Sequence, residues 1–340
     1  MDPDLANVSG PLVAARAVHY ASSLLVLGAC DIDRLIVVRA RHPVAPVDAG
    51  TARLGRSVAS VWNPCWSIVV FPALFFALAS GILWFLEVAV GMSGLPPGDA
   101  WKMPVLRLVW SRTQFGKVCE FRLIVFVLLA CLVLARFLVL ARFVLRDRRL
   151  PHAILSWIVF AVAAVFVGSI PWAGHGATGP IPAWHLTADV MHLMFVAAWP
   201  VGLAPLLLLL WVLRRVEAFD RPQDVSRVVN HFSLMSLICV AGLVTTGTIN
   251  SYCLVGSFGA LFDTIYGQTL LVKLGLFALM MPLGAANLLV FRTRLGRAAA
   301  DPSRRVSLNS LRLSVAIEVG LATLIILAVS VLGLLPPGRQ

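Results

Sequence analysis

Two histidines inside long apolar runs, His19 and His192, are the first groups in the sequence with chemistry to offer. Each follows a charged residue by three positions, Arg16-x-x-His19 in one run and Asp189-x-x-His192 in the other, so each imidazole shares a helical face with a charge. Polar groups inside a bilayer are costly and mark a pathway or a site. If equivalent helices carry them at one depth, the two rings face each other across the bundle centre, as the ligands of one metal or the axial ligands of one haem iron do. Arg16 and Asp189 would then stand opposite one another as an ion pair. The plainer alternative is that each histidine hydrogen-bonds a neighbouring helix.

Donors are densest around His192. His185, Asp189 and His192 are spaced by four and three and fall on one helical face, and His175 precedes them in the arginine-free stretch Trp172-Ala-Gly-His175-Gly-Ala. Imidazoles suit copper in either oxidation state and the thioethers of Met191 and Met194 suit Cu(I), although neither methionine shares the face of His192 cleanly. Asn250, with Tyr252 and Cys253, closes another apolar run on the same side and adds polar groups to such an outer site. Lys273 and Arg122 enter their runs at matching places, and snorkelling toward the interface is the expectation for both. Glu318, near the inner end of the last run, and Glu87, near the outer end of the second, read as interfacial carboxylates or as proton or cation relays. The six cysteines contain no Cys-x-x-Cys pair and read as small apolar fillers. No zinc-protease, phosphate-loop or dinucleotide fingerprint is present, so an enzyme of the soluble type is not expected.

The elements that must carry these groups follow from composition. Of 340 residues 59% are hydrophobic and 13% charged, whereas soluble domains carry about 25% charged residues. The net charge of +12 forms no basic face and sits in short loops, so nucleic acid is not the expected partner; membrane lipid is. A bilayer core takes about 20 apolar residues per helix, and eight stretches qualify: 11–30, 66–90, 121–140, 153–170, 188–213, 232–255, 269–291 and 313–335. They are too long and too uniformly apolar for barrel strands, so the expected fold is all-α, a polytopic membrane protein with eight transmembrane helices. The opening Met-Asp-Pro-Asp-Leu has no positive n-region, so the first run is expected to remain as a span. The connections after runs one, three, five and seven hold 19 of the 28 Lys and Arg residues, which places them in the cytoplasm and both termini outside.

A repeat emerges from the same pattern. Thr113-Gln-Phe-Gly116 precedes Arg122-Leu123 at the third run, and Thr264-Ile-Tyr-Gly267 precedes Lys273-Leu274 at the seventh, 151 residues later. Four helices per half keep the same orientation, so the halves are expected to be parallel four-helix repeats about an axis along the membrane normal. The division expected is 1–150 for the first half and 151–340 for the second.

The second half resembles the copper resistance protein D family of bacterial inner-membrane proteins. The residues that carry the likeness are Gly174-His175-Gly176, the run from His192 through Trp199 to Gly202, Phe232-Ser233, Thr246-Gly247-x-x-Asn250, Thr264-x-Tyr266-Gly267 with Lys273, Asn287, and Glu318 before Pro336-Pro337. In the first half the likeness rests on His19 and the stretch from Thr113 to Arg122. It implies uptake of periplasmic copper toward the cytoplasm, beside a soluble periplasmic CopC-type copper-binding protein. A copper permease is thus one expectation, with His175 and His185 passing the ion to His19 and His192. The alternative is a membrane redox protein that binds haem b between His19 and His192. A third reading is a sensory membrane protein whose histidines respond to pH.

Overall fold

The computed structural model describes residues 9–37, 49–143, 150–173, 183–213, 222–291, 293 and 309–337. Among these residues there is no strand, and eight helices are long and apolar enough to cross a membrane: Gly10–Leu35, Trp62–Ser93, Gln114–Val139, Ala153–Ala173, Ala183–Val212, Val228–Val255, Ile265–Val290 and Asn309–Leu332. They are numbered here as spans one to eight. The chain is an all-α polytopic membrane protein, and each expected run coincides with a span. His175 and most of the loop arginines that set the expected orientation lie outside the described residues.

The spans outrun the purely apolar stretches because a chain in lipid has to satisfy its backbone polar groups internally. The first helix continues to Val37 and takes in Asp31, Asp33 and Arg34, the last of which the loop count had assigned to a connection. These charges are accommodated by partners. Asp33 pairs with Arg136 of span three at 2.8 Å, both side chains almost fully buried, and accepts from Trp62 Nε1 at 3.2 Å. The Arg136 guanidinium also lies 3.7 Å from the ring centroid of Trp66, a cation–π contact. Arg34 is stacked against Trp157 and Phe160, 3.8 Å from each centroid.

Span one is the most enclosed element and packs along spans two, four, five and eight. Two spans carry π-helical segments. Span five changes register at Ala197–Val201, which contains Pro200, and span seven at Asn287–Phe291, five residues after Pro282. Proline leaves a carbonyl without its i+4 donor, and a π turn is one way to absorb the defect.

The entries to spans three and seven are built alike. Thr113 and Thr264 both have extended backbones, with φ −108° in each, and each hydroxyl accepts from the N–H three residues on, Gly116 at 2.9 Å and Gly267 at 3.0 Å. This is an N-cap in which the side chain takes one of the orphan donors of the first turn. Each cap glycine lies against the backbone of the short helix before it, Met103–Arg112 or Ala260–Asp263, so closely that a Cβ would overlap Trp110 O or Ala260 O. The Thr-x-x-Gly recurrence therefore has a steric reason. The two corners match; the repeat itself, with an axis relating whole halves, remains a proposal.

Candidate functional site

The two intramembrane histidines sit in different surroundings. His19 on span one is held between spans two and three. Its Nδ1 is 2.9 Å from Ala77 O, which can only accept, so Nδ1 carries the proton. Its Nε2 lies 2.7 Å from Arg122 Nη2, which can only donate, so the lone pair of the ring is taken. Arg122 is fixed in turn, with Nη1 donating to Phe166 O at 2.9 Å and to Ser169 Oγ at 2.6 Å. Trp84 lies tilted and Phe166 edge-on against the imidazole, and the adjoining cavity of about 150 Å³ is almost wholly apolar.

His192 on span five is bound on one side only. Thr246 of span six donates its hydroxyl proton to Gly242 O at 2.7 Å, so its oxygen accepts from His192 Nδ1 at 2.9 Å. The neutral ring then has its lone pair on Nε2, and no hydrogen bond is made there among the described residues. The ring borders a polar cavity of about 230 Å³ together with His185, Asp189, Asn250, Tyr266 and Lys273. Asp189 Oδ1 accepts from Asn250 Nδ2 at 2.7 Å, while Oδ2 lies 3.9 Å from His185 Nε2. His185 is buried and its Nε2 has no hydrogen-bond partner, nor has Asn250 Oδ1. An orphaned buried donor or acceptor costs about 1–3 kcal/mol, a cost that a bound ligand removes.

Below this cavity a second one of about 380 Å³ shares His192, Gly247, Ser251 and Lys273 and runs on past Phe277 to Pro200 and Ala322. It is lined mainly by apolar groups. Together the two form a passage between spans five, six, seven and eight, with Tyr20 of span one on its wall.

The structure thus brings His185, Asp189, His192, Asn250 and Lys273 together and leaves His19 outside that group. His19 and His192 line different cavities, and both ring nitrogens of His19 are engaged. Arg16 does not pair with Asp189; it borders the same cavity but donates to Gly333 O at 3.0 Å and to Tyr20 Oη at 3.1 Å. Arg122 and Lys273 do not snorkel. Span three turns Arg122 inward onto His19, and Lys273 points into the passage. Met191 faces outward, and Met194 lines a separate cleft against Gly168. Tyr252 likewise points away, at 70% exposure. Glu318 is not interfacial: it is buried nine residues beyond Asn309 and bonded to Asn287.

Among the described residues no three His, Cys, Asp or Glu side chains form a closed metal-ligand group. The reason is the rise of the helix. His185 and His192 are about 10 Å apart along span five, at about 1.5 Å per residue, so the donors form a ladder rather than a shell. The gap between His185 Nε2 and Asp189 Oδ2 is within the reach of one ion, since metal bonds of about 2 Å to nitrogen and to oxygen sum to more than the 3.9 Å observed. The role of Thr246 went unread in the sequence, yet a signal was present. Thr246 and Asn250 are four apart, on one face of span six, as are His185, Asp189 and His192 on span five.

Comparison with known proteins covers both halves. Residues 6–184 match the copper resistance protein D-like N-terminal domain, and residues 226–332 match copper resistance protein D. Copper resistance protein D of Pseudomonas syringae pv. tomato is 32% identical over 195 residues, 56% of this chain and 62% of that protein. Copper transport protein CutJ of Bacillus subtilis is 29% identical over 197 residues, 57% of this chain and 34% of that one. The match thus spans less than two thirds of either relative. Inner membrane protein YebZ of Escherichia coli is 24% identical over 294 residues, 83% of this chain and 85% of that protein. No solved structure matches.

Proposed function

We propose that this chain, which belongs to the copper resistance protein D family, is a permease that carries copper across the bacterial inner membrane through its C-terminal half. One observation supports this most directly: the buried imidazole of His185 and the half-buried imidazole of His192, each making no hydrogen bond at Nε2, border one cavity with the Asp189 carboxylate. Copper is the cargo. The ladder of donors accepts the ion at His185 and Asp189 and hands it down to His192, each step holding it by few ligands, as transfer requires. Because both methionines lie off the cavity, the donor set is imidazole and carboxylate, which suits Cu(II). Lys273 opposes a cation at His192 electrostatically and keeps it from settling there.

Entry from the periplasm, import as the direction, both termini on the periplasmic side and delivery by a CopC-type protein complete the reading. The expectation that His175 passes the ion to His185 falls on a residue outside the described ones. The arrangement at His19 argues against haem b, since Arg122 occupies the nitrogen that an iron would need.

Titration of the purified protein with Cu(II), followed by electron paramagnetic resonance, tests the proposal. Nitrogen-ligated Cu(II) is expected, reduced in His185→Ala and lost in His192→Ala, together with lower copper accumulation by cells that carry His192→Ala. A protein that binds no copper, or one whose His192→Ala form accumulates it normally, removes the reading. A Soret absorption that vanishes in His19→Ala replaces it with the haem alternative.

A further inference from the structure

A polar pair that the copper ladder does not use lies beneath the passage. Glu318 stands near the middle of span eight and is 1% exposed. Its Oε2 accepts from Asn287 Nδ2 at 2.6 Å, whereas its Oε1 and Asn287 Oδ1 have no hydrogen-bond partner. No Arg, Lys or His among the described residues makes an ion pair with it.

The elements around Glu318 leave its charge uncompensated. Span seven contributes Asn287 and Gly284, and span five contributes Trp199: a methyl at Gly284 would sit 3.4 Å from Glu318 Oε1 and 3.5 Å from Trp199 Cζ2. None of these titrates. On span seven Lys273 lies fourteen residues before Asn287, about 20 Å away along the helix. Span one also packs on span eight and carries Arg16 and Tyr20 toward one end and Asp31, Asp33 and Arg34 toward the other; none bonds to Glu318. On its own span, Arg312 is six residues away and not bonded to it. An unpaired carboxylate at this depth is strongly disfavoured, and a proton neutralises it without further ligands. Two carbonyl-type oxygens offer little to a soft ion, which sets this pair apart from the imidazoles above.

Position adds a second argument. Both π-helical segments converge here, Ala197–Val201 through Trp199 and Asn287–Phe291 through its first residue. Such segments are rare and recur at functional sites. Ala322, on the wall of the lower cavity, is one helical turn from Glu318, and Pro200 on the same wall adjoins Trp199. Phe277, on the wall of the lower cavity, meets Trp199 edge to face on this side, with ring centroids 6.2 Å apart.

We infer that Glu318, oriented by Asn287, is a proton-carrying site, taking up a proton from water in the lower cavity and releasing it on the inner side, so that ion passage through the C-terminal half is coupled to proton movement. The coupled ion is copper only if the proposed function holds; the proton site stands on its own geometry. The step is a plain protonation, carboxylate plus hydronium giving carboxylic acid and water, with the reverse on release.

Full-length protein in proteoliposomes under an imposed pH gradient, with copper uptake and internal pH followed together, tests the coupling. Glu318→Gln should abolish gradient-driven uptake and its accompanying pH change while Cu(II) binding by electron paramagnetic resonance persists. Infrared difference spectra between acid and alkaline pH should show a carboxylic C=O band that Glu318→Gln removes and that Asn287→Ala, which retains the carboxyl, shifts. Unchanged gradient dependence in Glu318→Gln, or a band insensitive to both substitutions, overturns the inference. If the wild type binds no copper, the proposed function fails alone, and the infrared band still decides on Glu318.

Discussion

His19 and His192 hold the same place in the order of spans, each on the first helix of its half with a basic residue on the third, yet one ring is sealed and the other open. Arg122 reaches His19 Nε2 at 2.7 Å and is itself bound by Phe166 and Ser169, whereas Lys273, its counterpart in the sequence pattern, borders a cavity and leaves His192 Nε2 uncapped. A planar guanidinium has enough donors to satisfy a ring nitrogen and a neighbouring helix at once; an ammonium on a flexible stem is a point charge with no such fork. The contrast teaches that an imidazole in a membrane bundle announces a ligand only when its second nitrogen lacks a partner.

Substitutions can break or sharpen that contrast. The largest effect is expected on stability in the first half: Arg122→Leu orphans His19 Nε2, and together with the lost bonds to Phe166 and Ser169 should cost about 3–5 kcal/mol, read as an earlier thermal transition with copper stoichiometry unchanged. Next comes Lys273→Arg, which offers His192 the cap that His19 has. It should weaken Cu(II) binding by roughly a hundredfold or more, about 2.7 kcal/mol, in a competition titration, and an unaltered affinity would undo the comparison. Lys273→Met removes a nearby positive charge and should act in the opposite sense, tightening Cu(II) by roughly tenfold. The smallest effects are expected at the two corners that are built alike. Thr113→Ala and Thr264→Ala each lose one N-cap bond and should each cost about 1 kcal/mol, the same within error by thermal melting; clearly unequal losses would show that the likeness ends at the backbone.

Much of the frame was legible in the sequence. Eight apolar runs gave eight spans because lipid leaves a helix no other way to satisfy its backbone. The face shared by His185, Asp189 and His192 was legible too, since it depends only on helical periodicity. Partners from distant spans were not. The bond from Arg122 to His19 joins residues 103 positions apart, and a basic residue one turn inside a helix reads equally well as snorkelling outward. Met191 and Met194, whose spacing already set them off the face of His192, lie one outward and one in a separate cleft. The pairing of Asp33 with Arg136 was not legible either: one stands just beyond an apolar run, the other inside a distant one, and only the tertiary fold brings them together.

That pairing bears on how the chain enters the membrane. Asp33 belongs to the first helix and Arg136 to the third, so during synthesis the acid emerges long before its base. A charge at the centre of a span costs about 2.5–3.5 kcal/mol on insertion scales, and Asp33 and Arg136, two and three residues from the ends of their spans, each cost less than that when alone. Within the first hairpin Asp33 has only the Trp62 indole as a partner, and its counter-charge comes with the third helix, so these three helices are expected to settle against one another as one unit.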